Sequence, residues 1–158
     1  HPSLVQVYSG DDLSIILEMF EAFEEYWLSG YMYEFGLDTP LDRPSSAKAS
    51  GLCHVHVLYN EELFTDNDYR EWERKSSPNI PPSLRSKRMN CDSMIIYSMS
   101  REGTALFLTF YPSLGHERIK HGTVELGNLA IVSEDYFSSI DENPASYEEV
   151  MEFLQQPT

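Results

Sequence analysis

The chain has 158 residues, 41% of them hydrophobic and 13% aromatic, with a formal net charge of −15. That length suits one domain with a sizeable core, and that composition excludes a disordered chain. The charge argues against indiscriminate nucleic-acid binding, because phosphate affinity is carried by cations. No apolar run approaches the roughly 18–20 residues that a membrane span needs.

The charge is unevenly placed. Residues 10–45 hold nine acids and one base, and residues 134–158 hold seven acids and no base. The centre, residues 46–133, is balanced at ten of each, and within it Arg74 to Cys91 carries five bases and no acid. Cys53 and Cys91 fall in different predicted segments without metal-type spacing, so reduced thiols in a cytoplasmic protein are expected, with a single disulfide as the alternative.

Taken in order, Leu4 to Tyr8 alternates and predicts a short strand. Ser9 with Asp12 has the form of a helix-start box. Leu13, Ile16, Leu17, Phe20, Phe23 and Trp27 recur at helical spacing, Gly30 is a stop, and the acids Glu18, Glu21, Glu24 and Glu25 lie mostly on the other face. Tyr31 to Gly51, with its prolines and small residues, predicts an extended connection. Leu52 to Tyr59 predicts a strand whose alternation puts His54 and His56 on one face. A His-x-His strand can begin a zinc site, but a third ligand is needed, and hydrogen-bonded histidines on a half-covered sheet face are the simpler expectation. No metal and no cofactor are expected.

Asp66 to Lys75 predicts a short helix anchored by Trp72, and Ser76 to Arg88 a loop rich in Pro and Ser. Ser93 to Ser98 and Ala105 to Tyr111 predict a hairpin around Arg101-Glu102-Gly103, with the second strand central because it is apolar nearly throughout. After Pro112 and a Ser-Leu-Gly turn, His116, Arg118, Lys120 and His121 fall within six residues. Phosphodiester cleavage through a neighbouring hydroxyl needs a base, an acid and a cation facing the developing charge, and this stretch holds all three; a solvated turn with ordinary charges is the plain alternative. Val124 to Val132 predicts a helix with Gly127 as its weak point. Tyr147 to Leu154 predicts a last helix, opened by a Ser146–Glu149 capping box. The order gives an α+β fold: a small, mostly antiparallel sheet with helices packed on one side.

The His54-Val55-His56-Val57 strand, the stretch Arg88 to Tyr97, the apolar strand ending at Pro112, His116 to Lys120, and Leu126-Gly127-Asn128-Leu129-Ala130 occur in an order and spacing that resembles the YafO family of bacterial type II toxins, related to the RelE-type mRNA interferases. The resemblance runs from about Leu4 to about Val132. It implies a RelE-like toxin domain over residues 1–133 and an acidic extension over 134–158. It also implies a ribosome-dependent endoribonuclease that cuts translated mRNA and is held silent by a cognate antitoxin, with ribosome and mRNA as its other partners.

On that reading His116 or His121 acts as acid or base, Arg118 and Lys120 stabilise the phosphorane, and Arg85, Lys87 and Arg88 contact phosphates. His54 and His56 join the RNA-facing set because they match the family's His-x-His. Such toxins are usually basic, which motivates a second function: a catalytically silent toxin-fold module whose acidic surface binds a basic protein. A third, a metal-dependent hydrolase on His54 and His56, lacks a suitably spaced carboxylate. The extension carries an apolar stripe on a helix too short to persist alone. It is expected to fold back over the face carrying His116, Arg118 and Arg85, as a tethered antitoxin segment would, or to pack on the far side of the sheet for stability.

Overall fold

The apolar spacing after Leu13 produces α1 (Leu13–Ser29), which buries Ile16, Met19, Phe23 and Tyr26. Gly30 follows it and donates its N–H back to the Tyr26 carbonyl at 2.8 Å. The computed structural model describes residues 13–59, 65–75, 77–85 and 91–156. The strand expected at Leu4 to Tyr8, the Ser9–Asp12 box, Lys87 and Arg88 lie outside these.

The segment after Gly30 corrects the expected connection, for it contains β1 (Phe35–Pro40) and α2 (Ser45–Ala49). Gly36, Asp38 and Pro40 dilute the strand signal, and Pro40 is tolerated because β1 lies at the end of the order among the described strands. Then come β2 (Leu52–Val57), α3 (Asp66–Lys75), a 3₁₀ turn at Pro82–Leu84, β3 (Met94–Met99) and β4 (Ala105–Tyr111). The four strands form an antiparallel meander in sequence order. The Arg101–Gly103 tip lies between β3 and β4, as its turn chemistry predicts. Among the described strands β4 comes last in the order and pairs with β3. Its unbroken apolar run reflects burial on both faces.

Chain order ends with α4 (Gly115–His121), α5 (Thr123–Ser139) and α6 (Tyr147–Leu154). The sheet is covered on both faces rather than one. Cys53, Val55, Val57, Ile95, Tyr97, Met99 and Phe107 meet α1 and the Val150 and Leu154 side chains of α6. Leu52, Met94, Ile96, Leu106 and Tyr111 meet Leu126, Leu129, Ala130 and Phe137 of α5. Trp72 is the buried residue of α3, and its Nε1 donates to the Tyr33 carbonyl at 2.6 Å. Cys53 and Cys91 are both free thiols.

The boundary expected at residue 133 falls inside α5, which runs unbroken across it. Ser133 donates to the Ser98 hydroxyl at 2.7 Å inside the core. Beyond it, Ala145, Val150 and Leu154 are buried, and Phe153 stacks on Trp27 with ring centroids 5.4 Å apart. Gly51 has φ +61, and a Cβ there would meet the Ala145 carbonyl at 2.3 Å, so the tail closes directly on the start of β2. The α6 capping box forms as its sequence predicts, but the helix packs on the α1 face. It does not cover His116 or Arg118. The stability alternative describes its placement, because its apolar stripe completes the larger core.

Truncation after Val132 is therefore expected to abolish cooperative folding. It removes Phe137, Ala145, Val150 and Leu154 from the core, at about 1.5–3 kcal/mol for each large apolar side chain. A truncated chain that keeps dispersed amide resonances and a sharp thermal transition would contradict this packing.

On the α1 face, the wholly buried Asp38 accepts hydrogen bonds from Tyr26 and Tyr97, each at 2.8 Å. Burial pushes its carboxyl up to about 7, against the opposing pull of the two hydroxyls and Arg85. An unfolded aspartate ionises near 4, so the fold holds this proton more tightly than the open chain. The resulting stability is present below about pH 4 and lost as pH rises towards 7. Asp38→Asn is expected to remove that slope, at most about 1.4 kcal/mol per pH unit. Urea midpoints of both proteins from pH 4.5 to 8 check it; parallel curves would show that Asp38 does not titrate in this range.

Candidate active site on helix α4

The cluster expected on a turn is carried by a helix. Leu114, at φ 56, brings the chain out of β4, and Gly115 opens α4 with its N–H donating to the Asp92 carbonyl at 2.9 Å. A Cβ at Gly115 would lie 2.6 Å from that same oxygen and from the Met94 side chain, so only glycine lets α4 seat this closely on β3.

The close seat puts the first imidazole against a carboxylate. His116 Nδ1 is hydrogen-bonded to the Asp92 carboxylate. In the neutral ring Nδ1–H donates to Asp92, and Nε2 keeps its lone pair. Behind it the His56 ring lies 5.1 Å from His116, and the His54 ring 5.2 Å from His56. His56 Nδ1 lies 3.0 Å from the Cys91 carbonyl, to which it donates in the matching tautomer. His54 and His56 are buried, so they form a floor under His116 rather than a surface of their own. Their alternation on one strand face is as the sequence predicts. Among the described residues no three His, Cys, Asp or Glu side chains converge as for a metal ion.

The other side of α4 holds Arg118. Its guanidinium lies over the Tyr111 ring, 4.1 Å from the centroid, and Nη2 donates to Glu125 at 3.2 Å. Stacking and ion pairing fix a planar donor group that is otherwise costly to order. One guanidinium has five N–H donors, so a single carboxylate contact leaves capacity for an anion. His121 Nε2 lies 3.3 Å from the Glu117 carboxylate. Lys120 is exposed.

Arg85 corrects its expected place among the phosphate contacts. Its side chain is only 1% exposed, donates to the Ile80 carbonyl at 3.2 Å and lies over the Tyr31 ring. It belongs to the Asp38 side of the sheet, opposite α4, and its electrostatics are spent on Asp38 and Tyr26. The structure thus brings His54, His56, His116, Arg118, Lys120 and His121 to one face and places Arg85 on the other. Sequence reasoning missed Asp92, Tyr111 and Glu125. The first lies 24 residues from its partner, without a local pattern to mark it.

Sheet, helices and site together define a small α+β domain with an imidazole- and guanidinium-bearing helix that follows the last strand of an antiparallel sheet. The chain belongs to the YafO family, whose model, toxin YafO of a type II toxin–antitoxin system, matches residues 21–138. The match runs through α5 almost to its end and stops short of α6. A toxin of this type has a cognate antitoxin as its partner. Neither a curated protein nor a solved structure matches the chain. Among the described residues no helix is long and apolar enough to cross a membrane.

Asp92→Asn is expected to shift the His116 ring from the Nδ1–H to the Nε2–H tautomer while leaving the fold intact, since both side chains are about half exposed. Long-range proton–nitrogen correlation spectra of the imidazole at high pH read the ratio directly. An unchanged ratio would mean that the carboxylate does not orient the ring.

Proposed function

We propose that this toxin is a ribosome-dependent endoribonuclease that cleaves translated mRNA in the bacterial cytoplasm. The observation that carries the reading is the His116–Asp92 pair, whose imidazole shares a short helix with Arg118 and Lys120. With Nδ1–H engaged by Asp92, His116 Nε2 takes the proton of a ribose 2′-hydroxyl. The 2′-oxygen attacks the adjacent phosphorus, and the bond to the 5′-oxygen breaks. A 2′,3′-cyclic phosphate and a new 5′-hydroxyl result. Arg118, held flat on Tyr111, faces the charge that builds on the non-bridging oxygens, and Lys120 adds to it. His121 beside Glu117 delivers the proton to the leaving oxygen.

The strongly acidic body does not prevent docking. Charges more than about one Debye length away, roughly 8–10 Å, are largely screened at physiological salt. Messenger RNA presented by a ribosome also removes the need for generic RNA affinity.

A specific observation favours a second reading. Arg118 is already paired with Glu125, Arg85 is buried, and the acids of α1 are mostly exposed. A silent module that binds a basic protein would use those acids and ignore α4.

Expression in bacteria without the antitoxin separates the two. Growth arrest with mapped mRNA cuts is expected for the parent chain. His116→Ala and Arg118→Ala should each reduce cleavage about 10²–10⁴-fold with the fold retained. If both variants stay folded and arrest growth like the parent, the catalytic assignment is wrong. Capture of basic proteins without RNA cleavage would favour the second reading.

A further inference from the structure

We propose that the cavity between α4, α5 and β4 is a nucleotide-binding pocket in which Asn128 reads the base. The proposal rests on the RNA-cleavage reading for its biological setting, and on the cavity itself for its chemistry. The space measures about 640 Å³, within the range of about 300–1,000 Å³ typical of small-ligand sites.

Its lining is divided by polarity. One end presents Arg118 and His121, with Glu125 bracing the guanidinium. The other end is apolar, made by Leu108 of β4 and by Leu129 and Val132 of α5. Asn128 also lines the space, one turn of α5 beyond Val124. A nucleotide has the same division: an anionic phosphate, and a flat base with apolar faces and a hydrogen-bonding edge.

The backbone explains why the apolar end faces the cations. Pairing of β3 with β4 jumps from Ile96↔Thr109 to Tyr97↔Phe107, which leaves Leu108 as an extra residue. Such a bulge breaks the alternation, so Leu108 and Thr109 both line the cavity although they are neighbours in the chain. Alternation resumes with Phe110 on the α1 face and Tyr111 on the α5 face, where its ring supports Arg118. One irregularity therefore widens the floor and sets the platform for the cation.

Asn128 supplies one donor and one acceptor from a single amide, the pattern that pairs bidentately with the exposed edge of adenine. Arg118 and His121 meet the phosphate whatever the base. The pocket thus divides affinity from specificity.

Titration of the full-length protein with each of the four ribonucleoside 5′-monophosphates and with ribose 5-phosphate, followed by amide chemical shifts, tests this. Expected are shifts centred on Leu108, Thr109, Asn128 and Leu129, with adenosine monophosphate binding tightest. Asn128→Ala should remove the preference for adenine, a loss of roughly 5- to 150-fold, and leave ribose 5-phosphate binding unchanged. Val132→Trp, which fills the apolar end, should abolish nucleotide binding while circular dichroism stays as in the parent. Absence of nucleotide binding, ribose 5-phosphate binding as tightly as the nucleotides, or an unaltered preference in the Asn128 variant would each overturn the pocket. Nucleotide binding without any mRNA cleavage in cells would uphold the pocket and remove the nuclease reading. Cleavage by the parent together with no mononucleotide binding would do the reverse.

Discussion

The buried carboxylate of Asp38 ties together the half of the protein that has no part in the proposed chemistry. It comes from β1 and accepts the hydroxyls of Tyr26 from α1 and Tyr97 from β3, while Arg85 reaches the same region from the loop after the 3₁₀ turn. An unpaired charge in that position would cost several kcal/mol. Two hydroxyls, a nearby guanidinium and the availability of a protonated form make it tolerable. Helix, two strands and loop are therefore held in one arrangement, because displacing any of them strips a partner from a group that water cannot reach.

With that face rigid, the helices on the other face have a fixed base. Helix α4 is short and mostly exposed, and it rests through Gly115 on the Asp92 carbonyl and through Arg118 on the Tyr111 ring. Each support comes from β3, β4 or the residues beside them. The strands are buried on both faces, so the platform under His116 and Arg118 is as fixed as the core. Sites whose supporting residues are locked by packing hold their geometry within the narrow tolerance that chemistry requires.

The acidic tail gains a structural meaning. Its helix is integral to the α1-side core, with Val150 and Leu154 buried and Phe153 on Trp27. The seven acids of residues 134–158 sit on the last part of α5, on the connection and on α6. The chain can then be strongly acidic as a whole and still keep Arg118, Lys120 and two imidazoles together on a separate helix.

Much of the fold was legible in the sequence wherever a local rule decides structure. The spacing of Leu13 to Trp27, the alternation of Leu52 to Val57, the Gly103 hairpin tip and the Ser146–Glu149 box each specify an element from neighbours a few residues away, and each element formed. The His116 to His121 cluster was legible as chemistry, and the family resemblance was legible in the order of its markers. The sequence could not show that Phe35 to Pro40 is a strand, since Gly36, Asp38 and Pro40 are poor strand formers. Nor could it show that Arg85 is buried beside Asp38 or that Asp92 meets His116. Those facts depend on which face of the sheet a residue joins and on partners 24 to 59 positions away. Local periodicity fixes the elements because it acts within a turn or a pleat. Only tertiary packing decides which elements meet, and so which charges are buried as ties and which remain free to act.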